Sequence, residues 1–300
     1  MLPEGLANFV QHVVNGLSTS SIYVLLGVGL TLIFGLSRLI NFAHGQFLVL
    51  GSFITWQMTE WGWTFALAAL AAVIVVGVIG VALDRTLFQR TVDRPMNGFV
   101  ASLGVAIALQ AIMVKIWSAD IYQIPKPVSG VWRLGGVNIS RDRVLVLVVA
   151  AVAVFFIFLL LDRSPVGRAL QAAAENRDAA RLVGIDVNGA IATSFLLGSA
   201  MAALGGALIG FVFPFTAFSG GTLLIKGFAV ALLGGLGNVR GAAIAGVVLG
   251  MAESLGGAYG ITLFGVAELG PEWADGYAFI LLVALLAWRP QGVFRAESRV

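Results

Sequence analysis

The chain of 300 residues is 59% hydrophobic and only 11% charged, with a mean hydropathy of +0.97. A soluble globule of this length carries about a quarter of its residues as charges, so the composition excludes one and reads as an integral membrane protein. The net charge of +3 does not point to nucleic acid, because Lys and Arg fall in short clusters between apolar runs, and the absence of Cys removes disulfides, thiolate metal sites and cysteine nucleophiles.

Apolar runs of about 20 residues read as spanning helices, since in lipid every backbone polar group must be satisfied within the segment. Met1 to Val14 holds Glu4 and His12 but no Lys or Arg, unlike a signal peptide, so the first run is expected to stay in the mature protein. Val13 to Ser37 is the first predicted span, with Gly27, Gly29 and Gly35 available for close helix contact. After Arg38, INFAHGQF opens a second, short run that ends at Thr59. Trp61 to Leu83 is the third, with Trp56, Trp61 and Trp63 placed as an interfacial aromatic belt. The basic joint DRTLFQRTVDRP leads into the fourth, Met96 to Val114. A loop from Ser118 to Arg143, with Pro125, Pro127 and alternating Val, Trp and Gly, suits a small β-ribbon or an extended excursion. Val144 to Leu161 is the fifth span, stopped by Asp162, Arg163 and Pro165.

GRALQAAAENRDAARLVGID, Gly167 to Asp186, is the one long polar interval of the second half. Its Ala and Leu background favours helix and Gly184 ends it, so a single surface helix is predicted, polar on one side and Ala-rich on the other. The uncharged stretch from Val187 to Ile225 is too long for one helix and divides at PFTAFSGG, with a span up to Phe213. The remainder of the chain is short-segmented and glycine-broken: Thr222 to Leu233, GGLGNVRG, Ala242 to Ala258, a polar interval ending near Asp275, and Gly276 to Trp288 before a basic tail. Such pieces resemble discontinuous or re-entrant helices. The fold expected is therefore a single all-α transmembrane domain over residues 1–300, of about eight or nine transmembrane or re-entrant helices.

Cations set the orientation. Arg85, Arg90 and Arg94, then Arg163, Arg168, Arg177 and Arg181, then Arg289, Arg295 and Arg299 mark two joints and the tail as cytoplasmic. The loop at 118–143 and the N-terminus then fall outside.

Motifs for chemistry are few. His12 and His44 lie in different segments with no H-E-x-x-H around either, so no metal site and no catalytic residue is expected. GGLGNVRG does not match G-x-x-x-x-G-K-[ST], so any ATP must be bound by another subunit. NFAHG places Asn41 and His44 at the start of an apolar run, which suits either solvation of a helix start or a pathway element. Lys226 and Glu253 are isolated charges in apolar stretches, where a central charge costs about 2.5–3.5 kcal/mol. They face a cavity, a partner or each other, or snorkel to an interface. A translocation path is expected between NFAHG and the breaks around GGLGNVRG, along Asn41, His44, Gly45, Lys226, Gly234 and Glu253. Gly206 with Gly210 and Gly246 with Gly250 suit close helix packing.

NFAHG after the first span, GRALQAAAENRDAARLVGID after the fifth and KGFAVALLGGLGNVRGAAIAGVVLGMAES near the end together resemble the permease subunits of branched-chain amino acid ABC importers. The resemblance covers nearly the whole chain in order and spacing. It implies a multi-pass bacterial inner-membrane subunit that works with a second, homologous permease, two cytoplasmic ATPases and a periplasmic solute-binding protein. Cofactors would then belong to the partners, ATP and Mg to the ATPases, and nucleic acid plays no part. The polar interval, 163–188, is similar in role to a coupling helix, which implies an ATPase-contacting role for Gly167, Arg168, Ala172, Glu175, Arg181 and Gly184. Permeases for urea, short amides or aromatic acids share this scaffold, so the substrate stays open within that class. The alternative is a self-sufficient secondary transporter or channel, for which only Lys226 and Glu253 qualify as ion-coupling charges. A purely structural subunit fits poorly, because broken helices are a costly design for a scaffold.

Overall fold

Among the described residues the apolar runs of the sequence become a helical bundle with two short antiparallel ribbons, one inside the loop from Ser118 to Arg143 and one pairing 261–263 with 267–269. This computed structural model describes residues 4–91, 95–134 and 136–259, the short strands 261–263 and 267–269, and helical backbone at 276, 279–280, 283–284 and 287. The polar interval up to Asp275 otherwise lies outside the described residues, as do Arg94, the rest of the segment Gly276 to Trp288 and the basic tail.

In chain order the helices are α1 (Glu4–Ser37), α2 (His44–Glu60), α3 (Phe65–Thr86), α4 (Pro95–Trp117), α5 (Arg141–Arg163), α6 (Pro165–Glu175), α7 (Arg177–Leu182), α8 (Val187–Val212), α9 (Ser219–Gly234) and α10 (Val239–Tyr259). The ribbon pairs β1 (Val131–Leu134) with β2 (Val137–Ser140) antiparallel, inside the loop from Ser118 to Arg143 where it was expected. Six helices, α1, α3, α4, α5, α8 and α10, are long and apolar enough to cross a membrane. This is fewer than the eight or nine segments expected, because α2 and α9 are short and the last apolar segment is mostly undescribed.

α1 is 34 residues long, about 51 Å at the α-helical rise, and begins at Glu4 rather than Val13. It exceeds the hydrocarbon thickness of about 30 Å, so its polar first turns extend past the bundle toward the ribbon. There the Asn138 N–H donates to the Gln11 side chain at 2.8 Å. α10 runs back along α1, and its Ser254 hydroxyl donates to the His12 carbonyl at 2.9 Å. α1 and α8 form the centre. At Gly29 and Gly198 each helix would drive an added Cβ against the other's backbone carbonyl.

α2 does not start at a surface. After Ser37 the chain turns at Arg38, whose φ of 52° is left-handed, and returns along α1. His44, the first residue of α2, then lies against the Leu26 carbonyl in the middle of α1, at 3.2 Å. The second apolar run is thus a short interior helix that opens at the depth of Leu26 and leads toward the ribbon end.

The polar interval corrects the expectation of a single helix: it is two. Ser164 caps α6 by accepting from the Gly167 N–H at 2.9 Å, with Pro165 in the first turn. Asn176 breaks it, with extended backbone (φ −150°, ψ 108°), and caps α7 by accepting from the Asp178 and Ala179 N–H groups, each at 3.0 Å. α7 ends before Gly184 at φ 82°, and Asp186 caps α8. Leu170, Ala173 and Ala180 bury this unit against Ile33, Leu36, Phe88 and Phe195.

Candidate functional site

Two clefts with polar lining lie in the bundle, one at each end. At the α6–α7 end the C-terminal ends of α1 and α5, the turn between α9 and α10, and α6 enclose a cleft of about 380 Å³. An exposed ion pair, Arg240 to Asp162 at 2.8 Å, joins the start of α10 to the end of α5 across it. Its contribution to stability is small at this exposure. Arg177 on α7 donates to the Leu36 carbonyl at the end of α1. α6 and α7 therefore touch the ends of α1, α5 and α8 directly.

Of the residues assigned to this face from sequence, Arg168, Glu175, Arg181 and Gly184 are exposed and Ala172 is half-buried. Gly167 is buried: a Cβ there would collide with the Leu160 and Leu161 carbonyls, so it lets α6 fold back tightly on α5. Leu182 and Val183, which no sequence signal singled out, are 89% and 76% exposed beside Arg181.

The second feature lies between α1, α9 and α10. Lys226 on α9 and Glu253 on α10 form an ion pair at 2.9 Å, with side chains 9% and 13% exposed. Tyr23 of α1 joins it, accepting from the Lys226 ammonium at 2.7 Å and donating to the second Glu253 oxygen at 2.7 Å. The two isolated charges of the sequence are thus brought together, and the tyrosine that bridges them was missed. Nothing marks Tyr23 in an uncharged run until α1 is laid against α9. The trio lines a cleft of about 680 Å³ at the ribbon end, with Arg143, Asn15, Thr19 and Ser254 among the further polar groups and Ile22, Ile209, Phe213 and Leu223 as apolar ones.

Asn41, His44 and Gly45 lie elsewhere, at the buried start of α2. The Asn41 side chain accepts from the Ala43 N–H at 3.0 Å and so shapes the turn into α2. Asn41 Nδ2 and His44 Nδ1 are buried without a hydrogen-bond partner among the described residues. A Cβ at Gly45 would collide with the Gly220 carbonyl, so α2 and α9 cross backbone to backbone there. Gly234 is at the opposite end of α9, where a Cβ would strike Gly241 and Ala242 at the start of α10. The six pathway residues therefore do not ring a common lumen. Lys226 and Gly234 belong to α9, Gly45 meets it at Gly220, Glu253 pairs with it from α10, and Asn41 and His44 lie at the turn into α2, where His44 contacts α1 at Leu26. Among the described residues no three His, Asp or Glu side chains stand together to hold a metal ion.

Residues 12–286 match the family described as branched-chain amino acid transport system / permease component. The chain is similar to the high-affinity branched-chain amino acid transport system permease protein BraD of Pseudomonas aeruginosa, at 33% identity over 97% of each chain. It is similar to the permease protein LivH of Escherichia coli at 28% identity, again over 97% of each chain. A more distant likeness, 26% identity over 91% of this chain and 67% of the other, is to the permease protein LivM of Salmonella typhimurium.

Proposed function

Because the chain belongs to the permease-component family of branched-chain amino acid transport systems, we propose that it is a membrane-spanning subunit of an ATP-driven importer for branched-chain amino acids or closely related amides. The observation that carries this reading is the likeness to BraD, 33% identity over 97% of each chain. The likeness to both LivH and LivM supports a second, homologous permease beside this one. Two ATPases that bind ATP and Mg, and a soluble solute-binding protein, complete the assembly.

In this reading α6 and α7 are the coupling segment on the cytoplasmic side, and the ribbon faces the periplasm. α1–α5, α8–α10 and the segment at 276–288 make up the membrane part, with α2 and α9 as short elements within it. ATPase closure bears on α6 and α7 through Arg168, Ala172, Glu175, Arg181, Leu182 and Val183. Their seats on α1, α5 and α8 carry the motion into the spans, and Gly167 and Gly184 allow the tight turns at each end. Transmission needs this face to bind the two ATPase states unequally.

The test is purification of the assembled complex and uptake into proteoliposomes. Leucine accumulation that needs ATP, the ATPases and the binding protein is the expected outcome. Accumulation by this chain alone without ATP would instead establish a secondary transporter. Sidedness is read separately in this Cys-free chain. A Cys at Ser129 should react with an impermeant maleimide from the periplasm, and one at Asn176 only after the membrane is opened. The reverse pattern overturns the orientation.

A further inference from the structure

A buried ion pair is a poor staple. Its desolvation offsets most of the attraction, and apolar residues of similar volume commonly hold two helices as well or better. The pair of Lys226 and Glu253 is moreover not sealed between helices: both side chains and the bridging Tyr23 line the 680 Å³ cleft at the ribbon end. The cleft falls within the range of about 300–1,000 Å³ usual for small-molecule sites. Among the described residues it sets the Lys226 ammonium, the Glu253 carboxylate and the Tyr23 hydroxyl, with Arg143 as a second cation, against apolar walls from Ile22, Ile209, Phe213 and Leu223. Such a lining can receive a molecule with one carboxylate, one ammonium and an aliphatic side chain.

We propose that this cleft is a binding station for the zwitterionic head of an α-amino acid, and that the ion pair is its internal stand-in. The amino acid carboxylate replaces the Glu253 oxygen on the Lys226 ammonium and takes the Tyr23 hydroxyl as donor. Its ammonium is received by the freed Glu253 carboxylate, and its side chain lies on the apolar wall. The exchange adds no net charge, because the incoming zwitterion brings one charge of each sign, so neither Lys226 nor Glu253 is left without a counter-charge in a low-dielectric region. It also limits affinity, since the substrate must displace an interaction of the same kind. A conduit that has to release its cargo requires that limit. Departure of the amino acid lets the pair close again.

The consequence for motion lies in where the three groups sit. Tyr23, Lys226 and Glu253 belong to α1, α9 and α10. Inserting a zwitterion between them spreads those helices at the ribbon end. At their other ends α9 and α10 meet at Gly234 and Ala242, and Arg240 ties α10 to α5 beside α6. Occupancy of the cleft is thereby linked to the coupling face through helices that run the length of the bundle.

This proposal rests on the importer reading, and the experiment separates the two. The assembled complex, with its ATPases, partner permease and binding protein, is tested for leucine uptake in three forms besides wild type. Lys226→Met with Glu253→Leu replaces the pair by apolar volume, Lys226→Glu with Glu253→Lys reverses it, and Tyr23→Phe removes only the bridging hydroxyl. Co-purification with the ATPases and the thermal unfolding midpoint show that each form is folded. The expected result is assembly in all three, with uptake reduced about tenfold to a hundredfold in the apolar and reversed forms. Tyr23→Phe should raise the half-saturating concentration about threefold to tenfold. If the reversed or apolar forms assemble and transport like wild type, the pair is only a staple and the proposal fails. If Tyr23→Phe alone is silent, the hydroxyl has no part in carboxylate binding and the proposal fails in the form given. If wild type itself moves no leucine with ATP, the importer reading fails first.

Discussion

α1 and α5 both read as spans, yet they live in different surroundings. In its apolar stretch α1 is 78% buried and α8 72%, against 17% for each of α4 and α5. The most apolar of these helices is α5, with VLVLVVAAVAVFFIFLLL at its heart, and it presents Phe155 and Phe156 outward. α1, at the centre, is the one that carries Ser18, Ser20, Thr31, Gly27 and Gly29. In lipid the tails are as apolar as Leu, so burying apolar side chains gains little and close backbone approach becomes the organising contact. Apolarity therefore marks which segments cross, and small residues mark which ones lie inside.

The sharpest way to break this comparison is Gly206→Leu in α8. A Cβ there would run into the Leu48 carbonyl of α2 and stand 3.0 Å from the Ser52 nitrogen, and backbone on both sides cannot yield. α2 and α8 would have to separate, at a cost of about 3 kcal/mol or more. Loss of a monodisperse folded peak in detergent is the expected outcome. Recovery of a normally folded Gly206→Leu protein would show that the centre is held by something other than close approach.

A smaller effect is expected at the water-facing unit, which belongs to neither environment. Asn176→Ala removes both hydrogen bonds that start α7, a six-residue helix with no length to sustain itself. The cost is about 1 kcal/mol, local to α7. Protease cleavage at 176–184 should quicken and ATPase retention should weaken, while the unfolding midpoint of the spans stays where it is. A fall of that midpoint would place α7 in the core of the fold.

These contrasts also define how much was legible. The spans were visible because apolar length is a one-dimensional property. The ribbon was found from Pro125, Pro127 and the alternating Val, Trp and Gly, and the end of α8 from PFTAFSGG. The break at Asn176 was visible in principle, since Asn followed by Arg-Asp is a helix-start signature, but the Ala-rich surroundings argued for continuity. The depth at which α2 begins was not legible. NFAHG says where the helix starts along the chain, and only packing against Leu26 says that the start lies inside the bundle. The pairing of Lys226 with Glu253 was one of several readings left open, because a lone charge specifies a need for a partner without naming it. Asp84 illustrates the same limit: counted with a basic joint, it is in fact wholly buried and accepts from Gln89 at 2.8 Å.

The smallest and most discriminating change is Gly104→Ala in α4. Gly104 lies within a helix, and an added Cβ would meet nothing within 4 Å. In water such a replacement stabilises a helix by about 0.5–1 kcal/mol, because Gly loses more backbone freedom on ordering than Ala does. In a bilayer the segment is already helical before the bundle assembles, so most of that gain is absent and a shift near zero, on the stabilising side, is expected. The unfolding midpoint of the isolated subunit in detergent tests the lipid-facing assignment directly. The same variant assembled with the second permease tests more. If Gly104 faces lipid in the complex too, assembly is unchanged, whereas weaker assembly would mean that a partner helix closes on α4 at Gly104, where it has no side chain. In that case the low burial of α4 would reflect a surface awaiting its partner, and the division between inner and outer helices would hold only for the lone chain.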